Sequence, residues 1–126
     1  MAYVIIVTGW RYATWERHAL LIQHRLYMAT AGYVSADVTL KHGKCPRGGV
    51  DLIADKIARE RGWNVQEFPA EFRNGKLLGP ERNQRMVDTG ADIVLAFPGP
   101  SSRGTIDCLT KAIKAGITTH TYPLTR

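Results

Sequence analysis

The chain has 126 residues, 44% of them hydrophobic and 22% charged, with a formal charge of +6. That length fits one domain whose core buries roughly two-thirds of the unfolded surface, and the composition excludes a disordered or low-complexity chain. No apolar run approaches the roughly 18 residues of a membrane span, and the opening MAYVIIVTGWRY has no basic leader and too short an apolar run for a signal peptide, so a cytoplasmic protein with no membrane partner is expected.

The elements follow in chain order. Tyr3–Val7 is short, β-branched and aromatic, and predicts a buried strand. Gly9 breaks the run and Thr14 offers a helix N-cap. Trp15, Ala19, Ile22, Leu26 and Ala29 then step by four and three as one apolar helix stripe that Gly32 ends. His18 and His24 fall on the polar side of that helix. Ala36–Leu40 predicts a second strand, HGKCPRGG a loop, and Val50, Ile53, Ala54, Ile57 and Ala58 a second helix stopped at Gly62. Trp63–Phe68 predicts a third strand, followed by an irregular PAEFRNGKLLGP. Pro80 suits the first turn of a helix over Glu81–Thr89. Asp92–Phe97 is the clearest strand, Thr105, Leu109, Ala112 and Ile113 mark the last helix, and Ile117–Tyr122, with His120 on it, is the fifth strand.

Strands alternating with helices predict an α/β fold: a single Rossmann-like three-layer αβα domain, residues 1–126, with a mainly parallel five-stranded sheet. In such sheets ligands bind beyond the carboxyl ends of the strands. The unusual residues fall there. TGWR follows the first strand, and Gly9 allows close approach while Arg11 can fork a phosphate or carboxylate. HGKCPRGGVD follows the second, with Arg47, Gly48 and Gly49 at a helix start and Asp51 able to accept from a sugar hydroxyl. Arg82 and Asn83 stand in the first turn of a helix, where a cation opposes the dipole and so points to a partner. FPGPSSRGT follows the fourth strand. Its Gly99 and Gly104 free the backbone, and Ser101, Ser102 and Thr105 supply hydroxyls for a phosphate cradle. None of this is a dinucleotide fingerprint or a Walker loop.

Two cysteines, Cys45 and Cys108, read as reduced thiols. HGKC pairs one His with one Cys and no second pair lies at ligand spacing, so neither a metal nor a cofactor is expected. The basic residues are scattered rather than clustered, and the surplus favours anionic partners without choosing among them.

VTGWR, HGKCPRGGVDLIA, FPAEF, GPERNQRMVDTGADIVLAFPG and SRGT, taken in order, resemble the small YspA-type members of the SLOG superfamily, over about residues 3–122. The resemblance implies a Rossmann-like fold, a homo-oligomer, and a pocket for a nucleotide-derived ligand built from Gly9, Arg11, Gly48, Asp51, Arg82, Asn83, Gly99, Gly104 and Thr105. Superfamily relatives are put to several uses. LONELY GUY-type members are phosphoribohydrolases with the signature P-G-G-x-G-T-x-x-E; here the loop is longer, Cys108 stands where the final Glu would, and Asp107 is one residue early. DNA-processing protein A-type members bind single-stranded DNA, and others are regarded as sensors in conflicts between bacteria and phages. The expectation is therefore a nucleotide-binding sensor or sequestering protein. In it Arg82, Arg11 and the Gly99–Thr105 loop neutralise phosphate, and Asp51 and Asn83 read ribose or base. The alternatives are N-glycosidic hydrolysis of a nucleotide using Asp107, Glu81 or Glu71, and single-stranded nucleic-acid binding through aromatics such as Trp10, Tyr12, Phe72 and Phe97.

Overall fold

Five short runs become the strands of one sheet in a computed structural model that describes all of Met1–Arg126. In chain order the elements are β1 (Tyr3–Gly9), α1 (Trp15–Thr30), a 3-10 turn (Ser35–Asp37), β2 (Val38–His42), α2 (Gly49–Glu60), β3 (Asn64–Glu67), β4 (Phe72–Arg73), β5 (Lys76–Leu77), α3 (Gly79–Asp88), β6 (Ile93–Phe97), α4 (Arg103–Lys114) and β7 (Thr118–Thr121). The main sheet has the order β3-β2-β1-β6-β7 and every pairing in it is parallel. The chain works outward from β1 to β3, then returns to the other side of β1 for β6 and β7. The order reverses between β1 and β6, which opens a crevice at their carboxyl ends.

Side-chain alternation along the strands makes two cores. Ile5, Val7, Leu40, Leu95 and Phe97 face α1 and α2 and pack with Ile22, Leu26, Ile53 and Ile57. Ile6, Val94 and Ala96 face α3 and α4 and pack with Met86, Val87, Cys108, Leu109 and Ala112. The second core is the smaller, 8 buried residues against 18. The fold is thus the three-layer Rossmann-like domain that the alternation predicts. No helix is long and apolar enough to cross a membrane.

Several elements depart from the expectation, each for a physical reason. The second strand forms over Val38–His42 rather than Ala36–Leu40, because Ser35–Asp37 coil into the 3-10 turn. Its polar end is buried yet satisfied: Lys41 Nζ donates to Thr89 Oγ1 (2.9 Å) and Gly90 O (2.8 Å) at the C-terminal end of α3. The stretch expected to be irregular holds the hairpin β4–β5. Asn74 and Gly75 both adopt positive φ (+53° and +75°), as a two-residue hairpin turn of this hand requires. β3 and β7 are shorter than expected by one residue at each end. Trp15, placed by periodicity on the apolar stripe, is 41% exposed and lies under the Lys56 ammonium, 4.4 Å from the ring. His18, expected on the polar side, is buried: its Nδ1 accepts from Thr14 N (3.0 Å), which leaves Nε2–H to donate to Thr125 O (2.7 Å). Phe97 is fully buried and is core.

Gly49 tests the packing of α2 against the first loop. It has φ +58°, and a Cβ there would run into the Trp10 carbonyl oxygen and the Arg11 backbone, neither of which can swing away. Gly49→Ala is expected to cost about 1–3 kcal/mol. Gly104→Ala meets open space in the first turn of α4 and is expected to be neutral or stabilising by up to about 1 kcal/mol. Urea unfolding of the two variants beside wild type measures both.

Candidate functional site

The carboxyl ends of β1 and β6 are joined by backbone. Trp10 N donates to Phe97 O (2.9 Å), and Trp10 O accepts from Val50 N (3.0 Å) in the first turn of α2. Gly9 fits because a Cβ would lie 2.6 Å from Val50 Cγ2 and 2.8 Å from Phe97 O. The Trp10 ring lies directly on Gly99, where a Cβ would strike it, and stands edge-on to Tyr12 (6.2 Å) and His18 (5.7 Å). Gly9 and Gly99 therefore serve this packing.

A cleft of about 590 Å³ opens over this lock, lined among others by Trp10, Tyr12, Arg17, Ser101 and Arg126. A groove of about 440 Å³ lies on the other side of the same β6–α4 loop, against Pro98, Ser102, Arg103 and Ile106. Tyr12 is half exposed, and the guanidinium groups of Arg11 and Arg47 sit 5.0 and 5.4 Å from its ring centre. Arg126 arrives on a strap: Leu124 is buried and donates its N–H to Pro98 O (2.7 Å), and His18 holds the Thr125 carbonyl. No Asp or Glu side chain lines the cleft or the groove, and Arg11, Arg17, Arg47, Arg103 and Arg126 form no ion pair. In the first turn of α4 the N–H groups of Gly104 and Thr105 have no acceptor in the protein, while Ser102 Oγ accepts from Gly99 N (2.8 Å) and shapes the loop. This rim offers unpaired cations, free N–H groups and an aromatic face.

Arg82 lies elsewhere, across the end of β2. Its Nε donates to Asn83 Oδ1 (2.8 Å) and its Nη1 to the carbonyls of Gly43 and Phe68, with the guanidinium occupying the space a side chain at residue 43 would need. Asn83, buried, donates through Nδ2 to Gly104 O (3.2 Å) and Asp107 Oδ2 (3.0 Å); Lys111 Nζ donates to the same Asp107 oxygen (2.8 Å) and to Pro80 O (2.8 Å). One network thus joins the ends of β2 and β3 to α3 and α4, where the smaller apolar core leaves off. Burial alone would raise the Asp107 carboxyl, but the bonds from Lys111 and Asn83 outweigh it and hold the group below its ordinary value. Asp51 accepts from Cys45 N (3.2 Å) inside the β2–α2 loop; its burial pushes its carboxyl up, against opposing pulls from His42 and Arg82. Gly48, with φ +92°, donates its N–H to Cys45 O in that loop.

The structure therefore brings Arg82, Asn83, Gly104 and Asp107 into contact, and places Arg11 and Arg47 around Tyr12 in a separate group. Glu71 pairs with Arg73 (2.7 Å) on the exposed hairpin and Glu81 is exposed on α3; neither joins the network. Cys108, at the position a signature Glu would take, is a buried core residue whose thiol is pushed up to about 11, chiefly by burial. Arg17, His18, Lys111 and Arg126 were not singled out by motif; only the four-residue step from Thr14 to His18 hinted that the imidazole serves its own helix cap.

His42, Asp55 and Glu67 also converge, with ligand atoms within 4.8 Å of one another. His42 Nδ1 accepts from Lys44 N (2.9 Å), so Nε2 carries the proton that it donates to Asp55 Oδ2 (2.7 Å). A metal at Nε2 would leave the ring without a proton on either nitrogen, whereas a metal-bound histidine ordinarily donates through its other N–H. Asp55 and Glu67 are instead paired with Arg59, and Glu67 with Lys44. The donor set is that of an ion-pair network.

Over 75 residues the chain is 45% identical to the Gene 61 protein of Mycobacterium phage D29, a match covering 55% of this chain. The chain spans about 60% of that protein's length. No protein-family model matches it.

The Asp107 network gives a signed pH dependence. A carboxyl held below its ordinary value of 3.8 contributes stability that is complete above that value and lost as pH falls through the folded-state value. Asp51, raised by burial, contributes in the opposite direction, losing its share as pH rises through its raised value. Subtracting the stability of Asp107→Asn from that of wild type isolates the first effect. The difference is expected to be constant from neutral pH down to about 5 and to shrink below pH 4. Arg82→Ala, which strands the Gly43 and Phe68 carbonyls, is expected to cost about 1–3 kcal/mol at neutral pH. Chemical denaturation across the pH series reads both.

Proposed function

We propose that the protein binds a nucleotide or nucleotide-derived small molecule at the carboxyl-end rim of its sheet and acts as a sensor or sequestering protein. The observation that carries this reading is the cleft over the β1–β6 switch point, where Trp10 and Tyr12 adjoin Arg17 and Arg126 and no Asp or Glu side chain is present. An aromatic face suits a base, and unpaired guanidinium groups suit phosphate, which they can hold through paired N–H donors. The free N–H groups at the start of α4 favour the same charge. The reading agrees with the resemblance to YspA-type SLOG proteins. It keeps Arg11 as a phosphate contact and puts Arg17, Arg47 and Arg126 in the place of Arg82, because three of the donors of Arg82 are engaged in the scaffold or by Asn83. The similarity to a phage protein is in keeping with a role in phage–host conflict. Binding without cleavage is favoured over N-glycosidic hydrolysis, since Asp107 is committed to Asn83 and Lys111, and Glu71 and Glu81 stand away from the cleft lining.

The test is a melting-temperature screen with AMP, ADP, ATP, ADP-ribose, NAD and cyclic nucleotides, each tube then analysed for products. A ligand at about 100 times its Kd adds roughly 2.7 kcal/mol of stability, a readily measured shift. The expected result is a shift with intact ligand that is absent with the matching nucleoside and lost in Tyr12→Ala and Arg17→Ala, whose side chains are exposed. Free base or ribose phosphate would make the protein a hydrolase. No shift with any nucleotide, alongside steeply salt-dependent binding of a single-stranded oligonucleotide, would replace the reading with nucleic-acid binding.

A further inference from the structure

The two edges of the sheet are finished differently. At β3, Glu67 pairs with Lys44 (3.2 Å) and Arg59 (3.5 Å), and Asn64 Nδ2 donates to the carbonyls of Ala36 and Val38. Charged and occupied groups of this kind keep other strands away. β7 has none of them: Thr118–Thr121 carries no charge and no proline, and its register with β6 is unbroken. Tyr122 N donates to Ala96 O. By alternation, residues 118, 120 and 122 turn their backbone groups toward β6, and Thr119 and Thr121 present N–H and C=O outward.

Exposed apolar side chains of α4 flank this edge, and on the α1 layer a cation covers the aromatic ring that follows β7. On α4, Cys108, Leu109 and Ala112 face the sheet, while Asp107 and Lys111 face α3. At 100° per residue, Ile106 and Ile113 project to the side away from α3, above β7; they are 54% and 63% exposed. On α1, Trp15 and Tyr27 meet the α2 cations Lys56 and the following Arg61. Arg25 lies on the other side, 4.4 Å over the Tyr122 ring, with exposed Met28 on the same side of the helix. Arg25 Nε is buried there and has no acceptor within the chain.

We infer that the β7 edge is the interface of a two-fold homodimer, in which β7 pairs antiparallel with β7 of a second copy and the two five-stranded sheets run on as one. The edge is complementary to itself. With the axis beside His120, Thr119 of one copy opposes Thr121 of the other, and each such pair exchanges both of its hydrogen bonds. The same axis sets the two α4 helices antiparallel, so that Ile106 meets Ile113 of the second copy and the axis passes between residues 109 and 110. His120 is one of the two central residues of β7, and the midpoint of Ile106–Ile113 lies one residue from the centre of α4; in the inferred dimer one axis serves both. A foreign strand would satisfy the open backbone but has no reason to match the isoleucines.

The test combines mass with register. Sedimentation or light scattering is expected to give about twice the 14.0 kDa chain mass for wild type, and the chain mass for Ile106→Lys/Ile113→Lys with an unchanged melting temperature in dilute monomer. Two residues facing each other across a non-hydrogen-bonded antiparallel pair have Cα atoms about 4.5 Å apart, within disulfide range. In a Cys45→Ser background, His120→Cys is therefore expected to form a covalent dimer under a mild oxidant. Thr118→Cys, which would face Tyr122 of the second copy, is not. A monomeric wild type, a dimer that survives both lysines, or cross-linking as efficient at residue 118 as at 120 would each overturn the inference.

Discussion

The backbone of Trp10 ties the molecule together where its strand order reverses. A parallel sheet whose strand order reverses has a gap where neighbouring connections depart in opposite directions. Here the gap between β1 and β6 is closed by Trp10 N on Phe97 O and by Val50 N on Trp10 O. One residue joins two strands and the start of α2. Its ring then lies on Gly99 and fixes where the β6–α4 loop can go. Gly9, Gly49 and Gly99 are small because three segments of backbone converge on this residue, and these contacts form the floor of the cleft above.

The charged residues at the rim divide into two kinds for reasons of packing. On the α3–α4 side the apolar core is small, and polar groups finish the layer: Arg82 spans two strand ends, Asn83 spans two helices, and Asp107 with Lys111 closes the set. Buried polar groups must be partnered, so this network is consumed by the fold. On the α1 side the core is large enough without help, and the arginines there are left without acids. The excess of basic over acidic residues gains a location from this division. Part of the positive charge that remains free, on Arg11, Arg17, Arg47 and Arg126, lies around Tyr12 and the cleft, while Lys41, Lys44, Arg59, Arg73, Arg82, Arg85 and Lys111 are engaged in ion pairs or on carbonyls.

Periodicity made most of the fold legible. Ile22 and Leu26 on α1 and Ile53, Ala54, Ile57 and Ala58 on α2 lie where a 3.6-residue repeat puts them, and the β-branched runs became strands. The polar residues that were misplaced share one cause. Lys41, His42 and His18 are polar residues inside the protein, and no hydropathy pattern shows that Thr89, Asp55 or Thr125 will meet them. The Asn74–Gly75 hairpin did carry a local signal, its two-residue turn, which the surrounding charged residues obscured. For the site, position after a strand end was a sound guide to the rim but not to which side of the rim a group would serve. Arg82 looked anomalous at the start of α3 because its partners, the Gly43 and Phe68 carbonyls, are distant in sequence. Arg126 had no signal at all: it reaches the cleft only because Leu124 is buried and His18 holds the carbonyl between them.

That strap links the cleft to the sheet edge. Tyr122 follows β7 directly, packs on Phe97 (5.6 Å between ring centres) and lies beneath Arg25, and two residues later the buried Leu124 turns the chain over β6 toward α1. Whatever fixes β7 fixes the base of the strap, and whatever occupies the cleft bears on its tip through Arg126. An outer strand held by hydrogen bonds on one side alone is the less stable end of a sheet, and local opening begins at such places. Pairing β7 on its free side would remove that freedom and hold the strap against His18 more tightly. Ligand binding and self-association would then stabilise the same five residues from opposite ends, which makes each favour the other by ordinary linkage.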